Sequence, residues 1–272
     1  MDPNIDIQYL YPCIKWIGSK SLQTKIIIPK IIEKLKYQKV YIEPFVGGGS
    51  IIIELLKQCY LNKLKDITFI CSDINPILID MYNMIKDTPF ELIRKLEQYV
   101  DKNNEQDYYE IRKEYNKSPS VDKFIYLNKT CFRGLYRVNK RNEFNTAYNK
   151  NKNPPILNRE NILELSKIFN IYNVKFEISD FFNRIFEKSV MYLDPPYFEK
   201  YSEYNSTEFN QARYIELLNI LRMNNDIVLI HSNSIEFKHI YDTNEKFEII
   251  SCQDRMNSKN MNNYRLEVLY YL

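Results

Sequence analysis

The sequence predicts an α/β fold, a mostly parallel sheet flanked by helices and split by a mostly helical insertion. Three observations predict it. Short apolar runs alternate with stretches of helical spacing. A glycine-rich turn at 43–50 joins the first strand to the first helix of a strand–helix–strand unit. The stretch 76–159 starts with helical pattern and turns polar, basic and strand-poor before strands resume.

Taken in order, Val40-Tyr41-Ile42 reads as a short buried strand ending at Glu43-Pro44. Ser50 to Tyr60 has helical spacing, and Ile67 to Cys71 is a second apolar strand ending at Ser72-Asp73. This is a βαβ unit with a parallel pair. Helical pattern then runs from Pro76 to about Tyr115, where Thr88-Pro89-Phe90-Glu91 predicts a capping box with proline at the first helical position. Another helix is expected near Val121 to Cys131, and a further one near Asn161 to Phe169. Val174 to Ile178, Val190 to Leu193, Ile227 to Ile230, Phe247 to Ile250 and Leu266 to Leu269 read as strands. A helix near Glu208 to Met223 puts Ile215, Leu218 and Leu221 on one face. Residues 1–75 and 160–272 are therefore expected to form one sheet domain, with 76–159 inserted into it. There is no internal repeat and no low-complexity linker.

Composition narrows the function classes. No stretch approaches 18 uncharged apolar residues, so no membrane span is expected. The N-terminus lacks the basic-then-apolar order of a secretory signal. Five scattered cysteines without a CxxC, and only two histidines, argue against a zinc site or a disulfide framework. They favour a reducing, intracellular location. The net charge is only +3 but uneven: residues 121–160 hold nine Lys/Arg against three acids, a local excess of +6. A basic patch on a near-neutral chain suggests a polyanion met at one place, or else a solvated lysine-rich face. Ordinary usage of about 7 % would give roughly 19 glycines in this length. The chain has five, at Gly18, Gly47 to Gly49 and Gly134.

Two segments carry chemistry. Glu43-Pro44-Phe45-Val46-Gly47-Gly48-Gly49-Ser50 sits where a strand becomes a helix, so a ligand could lie against bare backbone and meet the helix N-terminus. Asp73, ending the next strand, is placed to accept from ribose hydroxyls. The turn is neither GxGxxG nor a P-loop. A nucleoside without phosphates, such as S-adenosylmethionine, fits better than a dinucleotide, and a tight βα turn without a ligand is the alternative. Asp194-Pro195-Pro196-Tyr197 follows the apolar run Val190 to Leu193, at the strand end where α/β sheets bind ligands. The Asp194 carboxylate and the Pro195 carbonyl can each accept one N–H of an exocyclic amine, while Tyr197 stacks on its ring. Such an amine is a poor nucleophile until acceptors localise its lone pair; it can then attack a sulfonium methyl in line. A strand terminator with a surface aspartate is the other reading of this segment alone.

Read together, the segments resemble the Dam-type DNA adenine methyltransferases. The likeness runs in order through KWIGSK (15–20), EPFVGGGS (43–50), SDIN (72–75), YNMIK (82–86), IYLNKTCFRGLYRVNKRNEFN (125–145), DPPY (194–197), STEF (206–209) and VLIHSN (228–233). It implies a Rossmann-like S-adenosylmethionine-dependent methyltransferase sheet domain with a DNA-recognition insertion. The implied reaction transfers a methyl group from S-adenosyl-L-methionine to the 6-amino group of adenine, leaving S-adenosyl-L-homocysteine, with no metal. Asp194, Pro195, Pro196 and Tyr197 would form the catalytic segment. Trp16, Lys20, Phe45, Gly47, Gly49, Asp73, Asp180 and Asp194 would hold the cofactor, with Trp16 and Lys20 at its methionine end and 177–181 near its adenine. Double-stranded DNA would be the partner of a monomer, with room for more than one copy per duplex. Phe132 would wedge into the duplex as the base flips out, Arg137 would read a guanine, and Leu135 would touch a thymine methyl. Lys129, Lys140 and Arg141 would meet phosphate. Ser19 stands where the family commonly has glycine, and Arg133, also expected at the DNA, where many relatives have asparagine. The expected target is GATC. Other planar amines (cytosine, RNA adenine, glutamine amide) and a DNA-binding relative without catalysis are the competing readings.

Overall fold

The computed structural model describes residues 4–150, 154–183, 186, 188–196 and 209–224, and the backbone of the strands 227–234, 247–253 and 264–271. The elements in chain order are α1 (Thr24–Leu35), β1 (Val40–Glu43), α2 (Ser50–Leu61), β2 (Thr68–Asp73) and α3 (Pro76–Asp87). Then follow α4 (Pro89–Glu97), α5 (Glu105–Lys117), α6 (Val121–Thr130), α7 (Arg159–Ile171), β3 (Lys175–Ile178) and β4 (Ser189–Leu193). The chain ends with α8 (Gln211–Met223), β5 (Ile227–Ser234), β6 (Phe247–Gln253) and β7 (Tyr264–Tyr271).

The seven strands form one sheet in the order β3-β2-β1-β4-β5-β7-β6. The pairs β2–β3, β1–β2, β1–β4 and β4–β5 are parallel, and β7 runs antiparallel to both β5 and β6. Parallel strands covered on both faces read as continuous apolar runs, which is why β1 and β4 were legible. Alternation sends Tyr41, Val190 and Tyr192 to one core with α1, α2 and α7, and Ile42, Met191 and Leu193 to a second core with Tyr214, Leu218 and Leu221 of α8. Strand order reverses between β1 and β4. At such a switch point the strand ends open a crevice outside the sheet.

Two local readings change. The capping box at Thr88 does not form: the Thr88 hydroxyl donates back to the Met84 carbonyl of α3, so it closes the preceding helix. Helix α1 gave no sequence signal because Pro29 interrupts it. Tertiary burial of Ile27, Ile28, Ile31 and Leu35 holds it despite the lost backbone bond.

Helix α3 belongs to the layer on the sheet. Tyr82 stacks on Phe176 of β3 at 4.7 Å, and Lys86 Nζ donates to the Val174 carbonyl just before β3. Helices α4, α5 and α6 pack together beyond it. Tyr99 Oη donates to Asp122 and Tyr126 Oη to the Lys102 carbonyl. No described helix is long and apolar enough to cross a membrane.

Candidate active site

The switch point brings three carboxylates to one end of the sheet. Glu43 ends β1, Asp73 ends β2, and Asp194 follows β4. The pairing of Ile42 with Met191 carries Asp194 two residues beyond the level of Glu43 on the β1–β4 seam, close enough for its charge to act on Glu43.

Lys20 anchors Asp194. Its Nζ lies 2.7 Å from Asp194 Oδ2 and donates to the Gly18 carbonyl at 2.9 Å. Its own N–H donates to Ser50 Oγ at the start of α2. The lysine side chain is 3 % exposed and the aspartate 17 %, so the carboxylate is the partner that reaches the open side. An adjacent ammonium favours the ionised carboxylate. Pro195 is buried and Pro196 exposed. Tyr197 lies outside the described residues.

Glu43 is fully buried and accepts a 2.8 Å bond from Tyr41 Oη. Burial pushes its carboxyl up to about 8; the Tyr41 bond opposes this and the charge of Asp194 adds to it. Burial thus favours the neutral form of Glu43, and the partner of Lys20 is Asp194. Asp73 accepts N–H bonds from Gly47 at 3.1 Å and from Asn75 at 2.9 Å. Burial raises its pKa to about 6 against those donors.

The glycine turn is also packed closely by the chain itself. A Cβ at Gly48 would stand 2.6 Å from Trp16 Cβ. Gly49, at φ +76, would bring its Cβ 2.6 Å from Tyr82 Oη, which donates to the Gly47 carbonyl. The bare side of the turn thus holds the chain's own Trp16 and Tyr82. Gly18 has open space where its Cβ would point. Phe45 lies among aromatic rings, 5.1 Å from Phe181 and 6.1 Å from Phe209. Asp180 accepts from the Phe182 N–H and from Asn183 Nδ2, capping a single helical turn. The adjacent Ser179 N–H donates to the Asp73 carbonyl, which ties that turn to the end of β2. Carboxylates opposite one buried ammonium, beside aromatic rings and an open glycine, form a set that suits a cationic nucleoside ligand. No cluster of metal-ligating side chains occurs among the described residues.

The segment 131–148 folds back as a hairpin, bridged at Cys131–Tyr148 and Val138–Phe144. Its tip is a tight turn in which Asn139 Oδ1 accepts from the N–H groups of Arg141 and Glu143. This leaves Lys140 and Arg141 exposed. Phe132 is 47 % exposed. Arg133 is held at φ 57, in the left-handed region where asparagine is more at ease than arginine. Its guanidinium lies over the Phe132 ring at 5.2 Å. Leu135 is half-buried and Arg137 exposed. Lys129 Nζ donates to the Pro155 carbonyl, so that cation has a partner inside the protein.

The hairpin is fixed to the segment 15–16. Trp16 stacks on Tyr136 with centroids 5.6 Å apart. Buried Asn128 accepts from the Lys15 N–H and donates to the Lys15 and Gly134 carbonyls. Glu43, Tyr82, Asn128 and Tyr136 escaped sequence reasoning as site residues. Only Glu43 carried a signal, its place before Pro44 at a strand end.

A parallel sheet with one reversed strand, β7, an acid-rich crevice at its switch point and the Asp194-Pro195-Pro196 segment there define the class, a Rossmann-like amino-group methyltransferase. Comparison with known proteins agrees. Residues 16–258 match the family model described as D12 class N6 adenine-specific DNA methyltransferase, and the chain belongs to that family. It is similar to the type II methyltransferase M.MjaIII of Methanocaldococcus jannaschii, 34% identical over 257 residues that cover 83% of this chain and 86% of that protein. It is 28% identical to the type II methyltransferase M.CviBI of Paramecium bursaria Chlorella virus NC1A, over 85% of this chain and 86% of that one. The DNA adenine methylase of Escherichia coli (strain K12) is 32% identical over 68% of this chain and 64% of that protein. The chain is thus an adenine-specific DNA methyltransferase, and the family implies use of S-adenosylmethionine.

Proposed function

We propose that the chain acts on duplex DNA by turning one adenine out of the stack and methylating its 6-amino group at the end of β4. The observation that carries this reading is the Lys20–Asp194 pair at the switch point, next to buried Glu43. S-adenosylmethionine, when bound, supplies a methyl group on a sulfonium that leaves as a neutral thioether. Phe45, Gly47, Gly49, Asp73 and Asp180 would hold its nucleoside part, with Trp16 and Lys20 closing its methionine end. Lys20 holds Asp194 through Oδ2, and the carboxylate of Asp194 would accept one N–H of the base. The Pro195 carbonyl takes the other N–H, and Tyr197 stacks on the ring. Two acceptors draw the nitrogen lone pair out of conjugation, and Asp194 receives the proton as the new N–C bond forms.

In the same reading residues 76–159 form the target-recognition unit. Phe132 fills the gap left by the flipped base, and Arg133, Leu135 and Arg137 face base edges. Lys129, Lys140 and Arg141 contact the backbone. The proposed target is GATC, resting on Leu135 and Arg137, with one copy of the chain per site. Incubation with labelled S-adenosylmethionine and duplex DNA, followed by nucleoside analysis, is the test. The expected product is N6-methyl-2′-deoxyadenosine, absent with Asp194→Ala. Label in cytosine, or full activity of that variant, would overturn the proposal.

A further inference from the structure

Arg137 does not stand alone on the hairpin. Its Nε donates to Asn145 Oδ1 at 2.9 Å, and directly across the hairpin the Asn145 N–H donates to the Arg137 carbonyl. The two residues are cross-strand neighbours joined by backbone and side chain. Asn145 is itself held on both sides. Asn116 bonds both backbone groups of Phe144, through Nδ2 to the carbonyl and Oδ1 from the N–H. The Thr146 carbonyl accepts from Tyr108 Oη and Arg112 Nη1, and Thr146 Oγ1 donates to the Leu135 carbonyl. The side chains of Phe144 and Thr146 are buried. Asn145 is thus a fixed post on helix α5, while the arginine it holds is exposed.

We infer that Asn145 is a positioning residue for sequence discrimination, holding the Arg137 guanidinium so that its Nη1/Nη2 edge is presented end-on to a guanine. This rests on the proposed reading of Arg137 as the guanine contact. The chemistry follows from donor and acceptor types. Nε can only donate, so the Asn145 amide must turn Oδ1 inward and Nδ2 outward. With Nε engaged, the side-on edge of the fork is closed, and the two Nη groups are the pair left to meet O6 and N7 of guanine. Among the described residues neither Nη group has a hydrogen-bond partner. An exposed arginine otherwise samples many rotamers, and fixing its plane beforehand lowers the entropic cost of a two-bond contact.

The test first reads the target by methylation-sensitive sequencing of DNA exposed to the wild-type protein. Next, kcat/KM is measured on that duplex and on duplexes with each base pair replaced in turn. Wild type, Asn145→Ala, Asn145→Asp and Arg137→Lys are compared. Expected is that Arg137→Lys and Asn145→Ala relax discrimination at the same guanine pair, the alanine variant by about tenfold, with other positions unchanged. Asn145→Asp, which keeps the acceptor for Nε, retains that discrimination even though its added charge weakens binding to all duplexes alike. Wild-type discrimination in Asn145→Ala at the pair that Arg137→Lys relaxes would overturn the inference alone. So would a uniform loss at every position, the mark of a merely structural role. Unchanged discrimination at every pair in Arg137→Lys would overturn the guanine reading of Arg137 and this inference with it.

Discussion

Glu43→Gln is the perturbation whose effect the structure sets most directly. The wild-type carboxyl is buried against Tyr41 and beside Asp194, and its pKa is pushed up from 4.5 to about 8. Below pH 4.5 both folded and unfolded chains carry the proton, and the site adds no pH dependence. Between pH 4.5 and 8 the native state keeps a proton that the unfolded chain has released, so stability falls as pH rises. Above 8 the loss is complete. At about 1.4 kcal/mol per unit, the interval amounts to roughly 4 to 5 kcal/mol. Glutamine has the same shape, still accepts the Tyr41 hydroxyl, and cannot ionise. Asp73, raised to about 6, gives a slope of the same sign in both proteins and cancels in the comparison. Urea unfolding without cofactor, at intervals from pH 5 to 9, reads the difference in stability between variant and wild type. That difference is expected to move in favour of the variant with rising pH, by about 4 kcal/mol in all. Any constant offset from the buried amide leaves this slope intact. A difference that is the same at pH 5 and pH 9 would refute the reasoning, because Glu43 would then be ionised in the fold.

Lys20→Met leaves Asp194 charged and without its buried partner, and is expected to cost about 3 kcal/mol in urea unfolding; a loss below about 1 kcal/mol would show that Asp194 is held by other groups. Gly48→Ala drives a methyl into Trp16, and overpacking of this kind costs about 1–3 kcal/mol; a thermal melt equal to wild type would mean that Trp16 swings aside freely. Phe132→Ala should abolish the fluorescence rise of 2-aminopurine at the target position while cofactor binding, followed by calorimetry, stays intact. A full rise in that variant would remove Phe132 from base flipping.

The sheet was legible because β1 and β4 are buried on both faces, and each therefore writes an unbroken apolar run between turn residues, while β2 buries Phe69 and Cys71 on one face. The reversal between β1 and β4 was not legible, because strand order is set by pairings between segments far apart in the chain; only Asp73 and Asp194, each at a strand end, pointed to the end of the sheet where ligands bind. Helix α1 was not legible, since Pro29 breaks the local rule that helix detection relies on, and the burial that overrides it is tertiary. The Thr88 hydroxyl misled for a related reason. A residue that ends one helix and starts the next can cap either, and sequence does not say which acceptor lies nearer.

At the site, residue type was legible and residue duty was not. The glycine run was read as a surface for a ligand; that side chains distant in sequence, Trp16 and Tyr82, also pack against it was not legible. That packing has a mechanical consequence. A turn filled by Trp16 is coupled to whatever Trp16 touches, and it stacks on Tyr136 of the hairpin, while Asn128 ties Lys15 to Gly134 next to it. The segment 15–16 thus packs against the glycine turn and the hairpin 131–148 at once. The order of motifs along the chain separates those two by more than eighty residues (Gly49 to Gly134), and no local pattern in either could have shown that they share a wall. Scarce glycine marks where backbone is approached closely; which partner approaches is decided by the fold.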